Sequence, residues 1–222
     1  MLKKQTFETN IYMKMFRWVY IVLIGNLCFL CVNSPFAIVA ITTAIDGRNL
    51  FLFSIALLFF IPSSLTAIAW LNKWQEEKEF DPAKQFFQLY KSLWKKSFGL
   101  GGIGWIISLV ASVDSLFFLK LSIGKWLLPF FFVLIFIATS VSINNFYLYL
   151  RNPQLKISII YKASLYFSLK KWYVSLVNTL LFIAIPLVMV IKPQFGFLVT
   201  PVLFLGVIYL NCLQTTKSLK AL

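Results

Sequence analysis

Two cysteines in the first apolar run are the residues whose spacing could do redox or metal chemistry. Cys28 and Cys31 form a C-x-x-C pair, and Cys212 lies near the C-terminal end. Such a pair can cycle between dithiol and disulfide, or supply half of a zinc site beside a second Cys or His pair. The chain has no histidine and no second cysteine pair. The pattern therefore favours cysteines that act as small apolar residues, and predicts no metal, no cofactor and no enzymatic activity.

Other polar residues inside the apolar runs could bind a substrate or an ion. Asp114 is the one acidic residue within such a run. Lying about 16 residues into its helix, it would be roughly 24 Å along the span. It is either a headgroup-level carboxylate paired with Lys120, or a substrate or proton site. Several asparagines would bond across helices or line a polar pathway: Asn26, Asn33, Asn144, Asn145, Asn178 and Asn211.

A basic and aromatic stretch, KQFFQLYKSLWKK at residues 84–96, separates two apolar runs. On a helix its apolar residues share one face and its lysines take the other. Asp81 and Pro82 precede it as an N-cap and a first-turn proline. We therefore predict a helix over residues 82–97 that lies on the cytoplasmic leaflet. It either anchors two spans to the headgroups or docks a partner subunit, and the candidate residues are Phe86, Phe87, Tyr90, Lys91, Trp94 and Lys95.

Composition indicates what these residues are mounted on. The 222 residues are 60% hydrophobic, include 24 Phe and 7 Trp, and have a mean hydropathy of +0.83. That leaves too little polar surface for a soluble globule, so we predict an all-α integral membrane protein with one domain. Apolar runs long enough to cross a bilayer predict six transmembrane helices, over residues 18–44, 50–71, 98–118, 126–149, 173–191 and 195–213.

Prolines and glycines predict irregularities in these spans. The first run is longer than a straight crossing requires and contains Pro35, so we expect a retained helix that tilts or kinks. Pro62 and Pro186 mark further kinks. The sequence FGLGGIG at residues 98–104 should let the third span approach a neighbour closely.

The distribution of basic residues predicts orientation. Of the 21 Lys and Arg residues, 17 fall in the two tails and in the loops after spans two and four, against 4 on the opposite side. Basic residues beside a span resist translocation, so both termini are predicted to be cytoplasmic. The net charge of +14 is spread over span ends and interleaved with aromatics, which favours anionic membrane lipids as partners and disfavours nucleic acid.

Two blocks of sequence recur at one offset. Leu89, Tyr90, Ser92, Leu93 and Lys95 match residues 76 positions later, as do Phe60, Ile61 and Ser64. This predicts tandem parallel repeats of span, cytoplasmic amphipathic helix and span. The second amphipathic helix, residues 154–172, mixes lysines into its apolar face and should sit partly against protein. Its candidate docking residues are Tyr166, Lys170 and Lys171.

The chain resembles the YesL-like family of bacterial membrane proteins, also called domain of unknown function 624. The resemblance extends over nearly the whole chain and is carried by Asn26, Leu27, Ser34, Pro35, Thr42, Thr43, Ala44, Pro62, Leu65, Ala67, Trp74, Phe86, Phe87, Lys91, Trp94 and Lys95. Residues 35–39, PFAIV, stand where the family usually has PVTIG. The resemblance implies a multi-pass protein of the Gram-positive plasma membrane, encoded beside importers of oligosaccharides, and it supplies no catalytic residues.

Two functions are consistent with these features. The first, implied by the resemblance, is a non-enzymatic accessory subunit that associates with the permease subunits of a carbohydrate ABC-type importer. The second is a small autonomous transporter or channel that uses polar residues at the repeat interface. The residues that would serve the second function are Asn26, Asn33, Asp114, Asn144 and Asn145.

Overall fold

The computed structural model describes residues 11–44, 46, 49–76, 81–121 and 124–220, and within these ranges the protein is helical without strands. Of the basic residues used to predict orientation, Lys3, Lys4, Arg48 and Lys78 lie outside the described residues. The helices are α1 Ile11–Val32, α2 Ser34–Thr42, α3 Leu50–Ala56, α4 Phe60–Glu76, α5 Pro82–Phe118, α6 Leu128–Arg151, α7 Ile157–Lys170, α8 Trp172–Ile191, α9 Pro193–Leu198 and α10 Thr200–Lys220.

Five stretches in the described part of the chain are long and apolar enough to cross a membrane. They are Met15–Val32, Phe51–Glu76, Pro82–Phe118, Gly124–Arg151 and Trp172–Ile191. The predicted sixth span is divided at Val199 into α9 and α10, and the apolar part of α10, Thr200–Gln214, is a shorter helix. The fold is therefore that of a multi-pass helical membrane protein, with five long apolar helices where six spans were expected.

Helix α4 lies at the centre of the fold, and every residue from 60 to 71 is buried. It packs against α1, α5, α6 and α10. Small residues along α4, including Ser63, Ser64 and Ala67, let neighbouring helices approach it from several sides. Bulky side chains then fill the remaining space, and Phe29 and Trp70 are fully buried.

Prolines interrupt two of the predicted spans and leave a third continuous. The first run breaks at Asn33, because Pro35 cannot donate the N–H that the Cys31 carbonyl would accept. Before Pro62 the chain forms a 3-10 turn, Leu57–Phe59. This turn contains the carbonyl that would accept the N–H of residue 62 in an α-helix, and Pro62 has no N–H to donate. Helix α8 continues through Pro186. The expected irregularities are thus found at Pro35 and Pro62.

The prediction of a separate interfacial helix over residues 82–97 is wrong. Helix α5 runs without interruption for 37 residues, from Pro82 to Phe118. At 1.5 Å per residue it is about 55 Å long, well beyond a hydrocarbon core of about 30 Å. Residues 82–97 therefore extend the axis of a membrane helix instead of starting a new one on the leaflet.

The second predicted amphipathic helix does exist as a separate element. Helix α7 spans Ile157–Lys170 and ends at Lys171, whose backbone (φ −116°, ψ 50°) leaves the helical region before α8 begins. The two copies of the sequence repeat thus have different backbones: the first is continuous and the second is broken.

Two glycines of the FGLGGIG segment explain how closely α5 approaches α6. A Cβ at Gly104 would lie 2.6 Å from the Ala138 carbonyl oxygen and would collide with Ser142, and one at Gly101 would lie 2.6 Å from the Phe146 ring. Gly102 faces open space. The expected close approach is therefore confirmed at Gly101 and Gly104.

Candidate functional site

The first candidate docking segment is fixed to the helix bundle at the start of α5. Asp81 is extended and its side chain accepts the Lys84 N–H at 3.3 Å, so the predicted N-cap is confirmed, with Pro82 in the first turn. The Trp70 indole N–H donates to the Pro82 carbonyl at 2.9 Å, and the Phe86 ring meets Trp70 edge-on at 6.3 Å. The apolar face of residues 82–97 is therefore held against α4 rather than against lipid headgroups.

The six predicted docking residues of this segment divide between the interior and the surface. Phe86 is fully buried, so it stabilises the packing on α4 and is not available to a partner. Tyr90 and Trp94 are half-buried and continue an aromatic ladder that reaches Phe98, with ring centroids 5.2 and 5.3 Å apart. The residues that remain on the surface are Phe87, which is 46% exposed, Lys91 and Lys95.

The second candidate segment presents its aromatic and basic residues separately from the first. Tyr166 and Lys170 are exposed on α7, where the Lys170 ammonium donates to the Tyr166 hydroxyl at 2.9 Å. Lys171 is half-buried at the break between α7 and α8. The inward face of α7 carries Ile160, Ser164 and Ser168, so this helix does sit against protein, as expected.

Asn26 joins the first span to the broken C-terminal segment. Its amide N–H donates to the Val199 carbonyl at 3.3 Å, and its amide oxygen accepts the Val202 N–H at 2.9 Å. These are backbone groups freed where α9 ends and α10 begins, and a buried break must satisfy them. Asn26 is fully buried, so it serves as interhelical glue and not as part of an open pathway.

Asn33 and Asn145 are also fully buried and bond between helices. Asn33 donates to the Ser63 hydroxyl at 2.9 Å, and Asn145 donates to the Leu100 carbonyl at 2.7 Å. The amide oxygens of both residues have no hydrogen-bond partner. Each asparagine therefore holds two helices together while keeping one buried acceptor unpaired.

Asn144 belongs to a polar network that joins four helices. It donates to Ser168 on α7 at 2.9 Å, and Ser168 also accepts from Ser140 at 2.9 Å. Asn144 and Asn178 contact the Cys212 sulfur at 3.9 and 3.5 Å. The network thus links α6, α7, α8 and α10 through neutral groups.

Asp114 is separated from these asparagines. It is half-buried on α5 and forms no ion pair with Lys120, so the predicted pairing is wrong. It does not line the cavity that lies between α3, α4, α5, α6 and α8, although its neighbours Ser112 and Val113 do. The predicted polar residues are therefore not brought together along one pathway.

None of the three cysteines forms a disulfide; Cys28 and Cys212 are buried and Cys31 is exposed. Among the residues that the structure describes, no three His, Cys, Asp or Glu side chains come close enough to hold a metal ion.

A second polar chain, not predicted from the sequence, ties the ends of α4 and α6 to the middle of α10. Arg151 donates to the Tyr209 hydroxyl at 3.0 Å, and this hydroxyl donates to Asn72 at 2.7 Å. Asn72 in turn donates to Glu76 at 3.1 Å, and the Arg151 guanidinium lies 5.8 Å from the Tyr147 ring centre. The sequence shows Arg151 at the end of an apolar run, but it does not indicate the partner, Tyr209, which is 58 positions away.

A cavity of about 290 Å³ lies between α3, α4, α5, α6 and α8, and was also not predicted. Its walls are aliphatic and aromatic, with Trp105, Phe146 and Phe182 among them. Hydroxyl residues line it as well: Ser54, Ser108, Ser112, Thr139 and Ser142. A second pocket, beside Asn144 and Lys171, has a volume of about 10 Å³.

Comparison with known proteins finds a family model that matches the N-terminal part of the chain. A family model described as "Protein of unknown function, DUF624" matches residues 9–115. The match confirms the resemblance predicted from the sequence for this part of the chain, just under half of it, and includes every residue on which that resemblance was based. No curated protein and no solved structure matches the chain significantly.

Proposed function

With residues 9–115 matching the DUF624 family, we propose that this chain is a non-enzymatic accessory subunit of a bacterial ABC-type carbohydrate importer in the plasma membrane. The observation that carries the proposal is the length of α5. Its first 16 residues precede the apolar part of the helix and are attached at their base to α4 by the contacts of Trp70 with Pro82 and Phe86. Such a segment can hold a docking surface at a constant distance from the membrane.

The docking surface we propose is the exposed face of this segment, consisting of Phe87, Lys91 and Lys95. An exposed aromatic residue followed by two cations on the same helix face suits a partner with an apolar pocket and acidic residues beside it. Phe87 is the apolar anchor of this surface, and Lys91 and Lys95 follow it about one and two helical turns along α5.

The importer proposal is tested by co-purification in mild detergent from the native membrane. We expect the wild-type chain to recover permease subunits, identified by mass spectrometry. Phe87→Ala should reduce recovery by about tenfold, the effect of losing an interface hot spot of about 1.4 kcal/mol. Phe117→Ala is the matched control, because Phe117 is 62% exposed at the other end of α5. A chain that purifies alone, or equal losses in both variants, would contradict the proposal.

The proposed topology has six crossings, with both termini in the cytoplasm. Helices α9 and α10 together form the sixth crossing, and Asn26 bridges the break between them. We expect Lys95→Cys and Lys171→Cys to resist a membrane-impermeant maleimide in intact cells, while Lys125→Cys reacts. These variants are made in a background whose native cysteines are replaced by serine. Labelling of Lys95→Cys or Lys171→Cys from outside would exclude this topology.

The autonomous transporter or channel is the alternative proposal, and it has less support. Asn26, Asn33 and Asn145 are buried and bonded between helices, and Asp114 does not line the main cavity. Flux through proteoliposomes tests this function directly. Transport by the chain alone that is lost on Asp114→Asn or Asn145→Leu would favour the alternative over the accessory role.

A further inference from the structure

The main cavity is elongated along α5. The residues of this helix that line it extend from Gly101 to Val113. Twelve residues of helix correspond to about 18 Å. At the inner end, Gly101 contacts the buried residues Ile61 and Phe146, whereas at the other end Val113 is exposed. The cavity is therefore a slot closed at one end and open at the other.

The walls of the slot suit a hydrocarbon and not a sugar. No charged residue lines it. Two of its hydroxyls donate to carbonyls of their own helix, Thr139 to Ile135 at 2.7 Å and Ser142 to Ala138 at 3.0 Å, and so are already satisfied. A sugar would bring many hydroxyl groups that find too few partners here, and a buried hydroxyl group without a hydrogen-bond partner is unfavourable.

The surroundings of the slot supply hydrocarbon chains. All of its lining residues except Ser54 and Leu57 come from α4, α5, α6 and α8, and these two lie in the same apolar stretch as α4, Phe51–Glu76. The outward face of α5 beside the slot carries Ile103, Ile106 and Val110, which are exposed as lipid-facing residues would be. A lipid tail beside α5 therefore needs only to enter at the Val113 end.

We propose that this slot binds one acyl chain of a membrane phospholipid, with the chain lying parallel to α5 and its end near Gly101 and Phe146. The bound chain completes the packing between α5, α6 and α8, where the side chains leave space. This inference does not depend on the importer proposal, since it concerns a different surface of the protein.

Photolabelling of the wild-type protein tests the site. The chain is reconstituted in phosphatidylglycerol vesicles that contain a phospholipid with a diazirine at the end of one acyl chain, and labelled residues are mapped by mass spectrometry. We expect labels on slot residues such as Trp105, Phe146 and Phe182. Labels confined to the outward residues Ile103, Ile106 and Val110 would overturn the proposal. Stronger labelling of the slot by a water-soluble diazirine would do the same, since the slot would then be aqueous.

A matched pair of variants tests the same site by occupancy. Ser108→Phe places a ring inside the slot, whereas Val110→Phe adds the same ring to the outward face of the same helix. After a detergent wash that removes loosely held lipid, native mass spectrometry should find a retained phospholipid on the wild-type protein and on Val110→Phe. Occupancy in Ser108→Phe should be at least about fivefold lower, because the chain and the ring compete for one volume. Equal occupancy in both variants would overturn the proposal.

Discussion

The amphipathic helix and following span of each copy of the sequence repeat, residues 82–118 and residues 157–191, place the same residues in opposite environments. Leu93 is 9% exposed, whereas its counterpart Leu169 is 57% exposed. The serines are reversed: Ser168 is buried and bonded to α6, while Ser92 is exposed on α5. The same sequence motif therefore turns its apolar face toward the protein interior in the first copy. In the second copy it turns its small polar face inward.

The neighbours of each segment account for the difference. In the first copy, Trp70 binds the base of α5, and Gly101 and Gly104 seat the same helix on α6. One straight helix satisfies both contacts. In the second copy, Ser168 holds α7 to α6 while Asn178 holds α8 to α10. These two attachments lie on different helices of the bundle, and the chain changes direction between them at Lys171.

The matched leucines provide the strongest test of this comparison. Leu93→Ala should lower the free energy of unfolding by about 2–4 kcal/mol, because it leaves a cavity in the core. Leu169→Ala should change it by less than about 0.5 kcal/mol, because Leu169 is at the surface. Thermal unfolding in one detergent compares the two variants directly. Similar losses would mean that the two copies are packed alike, contrary to the structure.

The glycine seam of α5 gives the next largest effect. Gly104→Ala should cost about 1–3 kcal/mol, because its new methyl group meets the Ala138 carbonyl and Ser142 and forces α5 away from α6. Gly102→Ala is the control: it faces open space, and alanine favours a helix by about 1 kcal/mol over glycine. The two variants should therefore shift the unfolding temperature in opposite directions. A stabilising Gly104→Ala would show that α5 and α6 are farther apart than described.

The outcome at residues 82–97 shows which part of this fold could be predicted. The amphipathic pattern, the N-cap at Asp81 and the first-turn Pro82 were all readable, and each is found. The sequence does not predict which surface covers the apolar face, because Phe86 fits the pattern equally well if it packs on lipid headgroups or on Trp70. Periodicity identifies a face that must be covered, and tertiary structure decides what covers it.

The candidate sites were harder to predict for a related reason. The sequence predicts that Asn26 bonds across helices or lines a polar pathway, but its partners Val199 and Val202 are more than 170 positions away. The cavity had a weaker signal still. Gly101, Gly104, Ser108 and Ser112 form a stripe of small residues along α5 that borders the slot, and α6 also approaches this stripe closely at Gly101 and Gly104. Small residues predict close approach or empty space equally well.

The serine pair tests the polar side of the comparison with a smaller expected effect. Ser168→Ala should cost about 1–2 kcal/mol, because the half-buried Asn144 amide and the buried Ser140 hydroxyl both lose their acceptor. Ser92→Ala, at the matching position on α5, should be close to neutral because Ser92 is exposed and donates only to a carbonyl of its own helix. Unfolding measured on both variants checks the difference. A costly Ser92→Ala would indicate that the first copy also uses its serine between helices.

Tyr161 joins the two copies, and its titration gives the smallest predicted effect. Its hydroxyl lies 3.0 Å from both the Gly99 and the Leu100 carbonyl oxygens, so α7 donates directly to the middle of α5. Burial raises the pKa of Tyr161 above its ordinary value of 10.0. The folded protein therefore keeps this proton at a pH where the unfolded chain loses it. Its contribution is complete below about pH 10 and declines as the pH rises toward the folded-state pKa.

The measurement is the difference in unfolding free energy between the wild type and Tyr161→Phe as a function of pH. At pH 8 the variant should be less stable by about 1 kcal/mol, the usual contribution of such a hydrogen bond. Above pH 10 the difference in unfolding free energy should shrink, because the wild type loses the stabilisation from the Tyr161 hydroxyl that the variant lacks. The other tyrosines and the lysines titrate in both proteins and cancel in the comparison. A difference that stays constant or grows with pH would mean that the Tyr161 hydroxyl does not donate a hydrogen bond from α7 to α5.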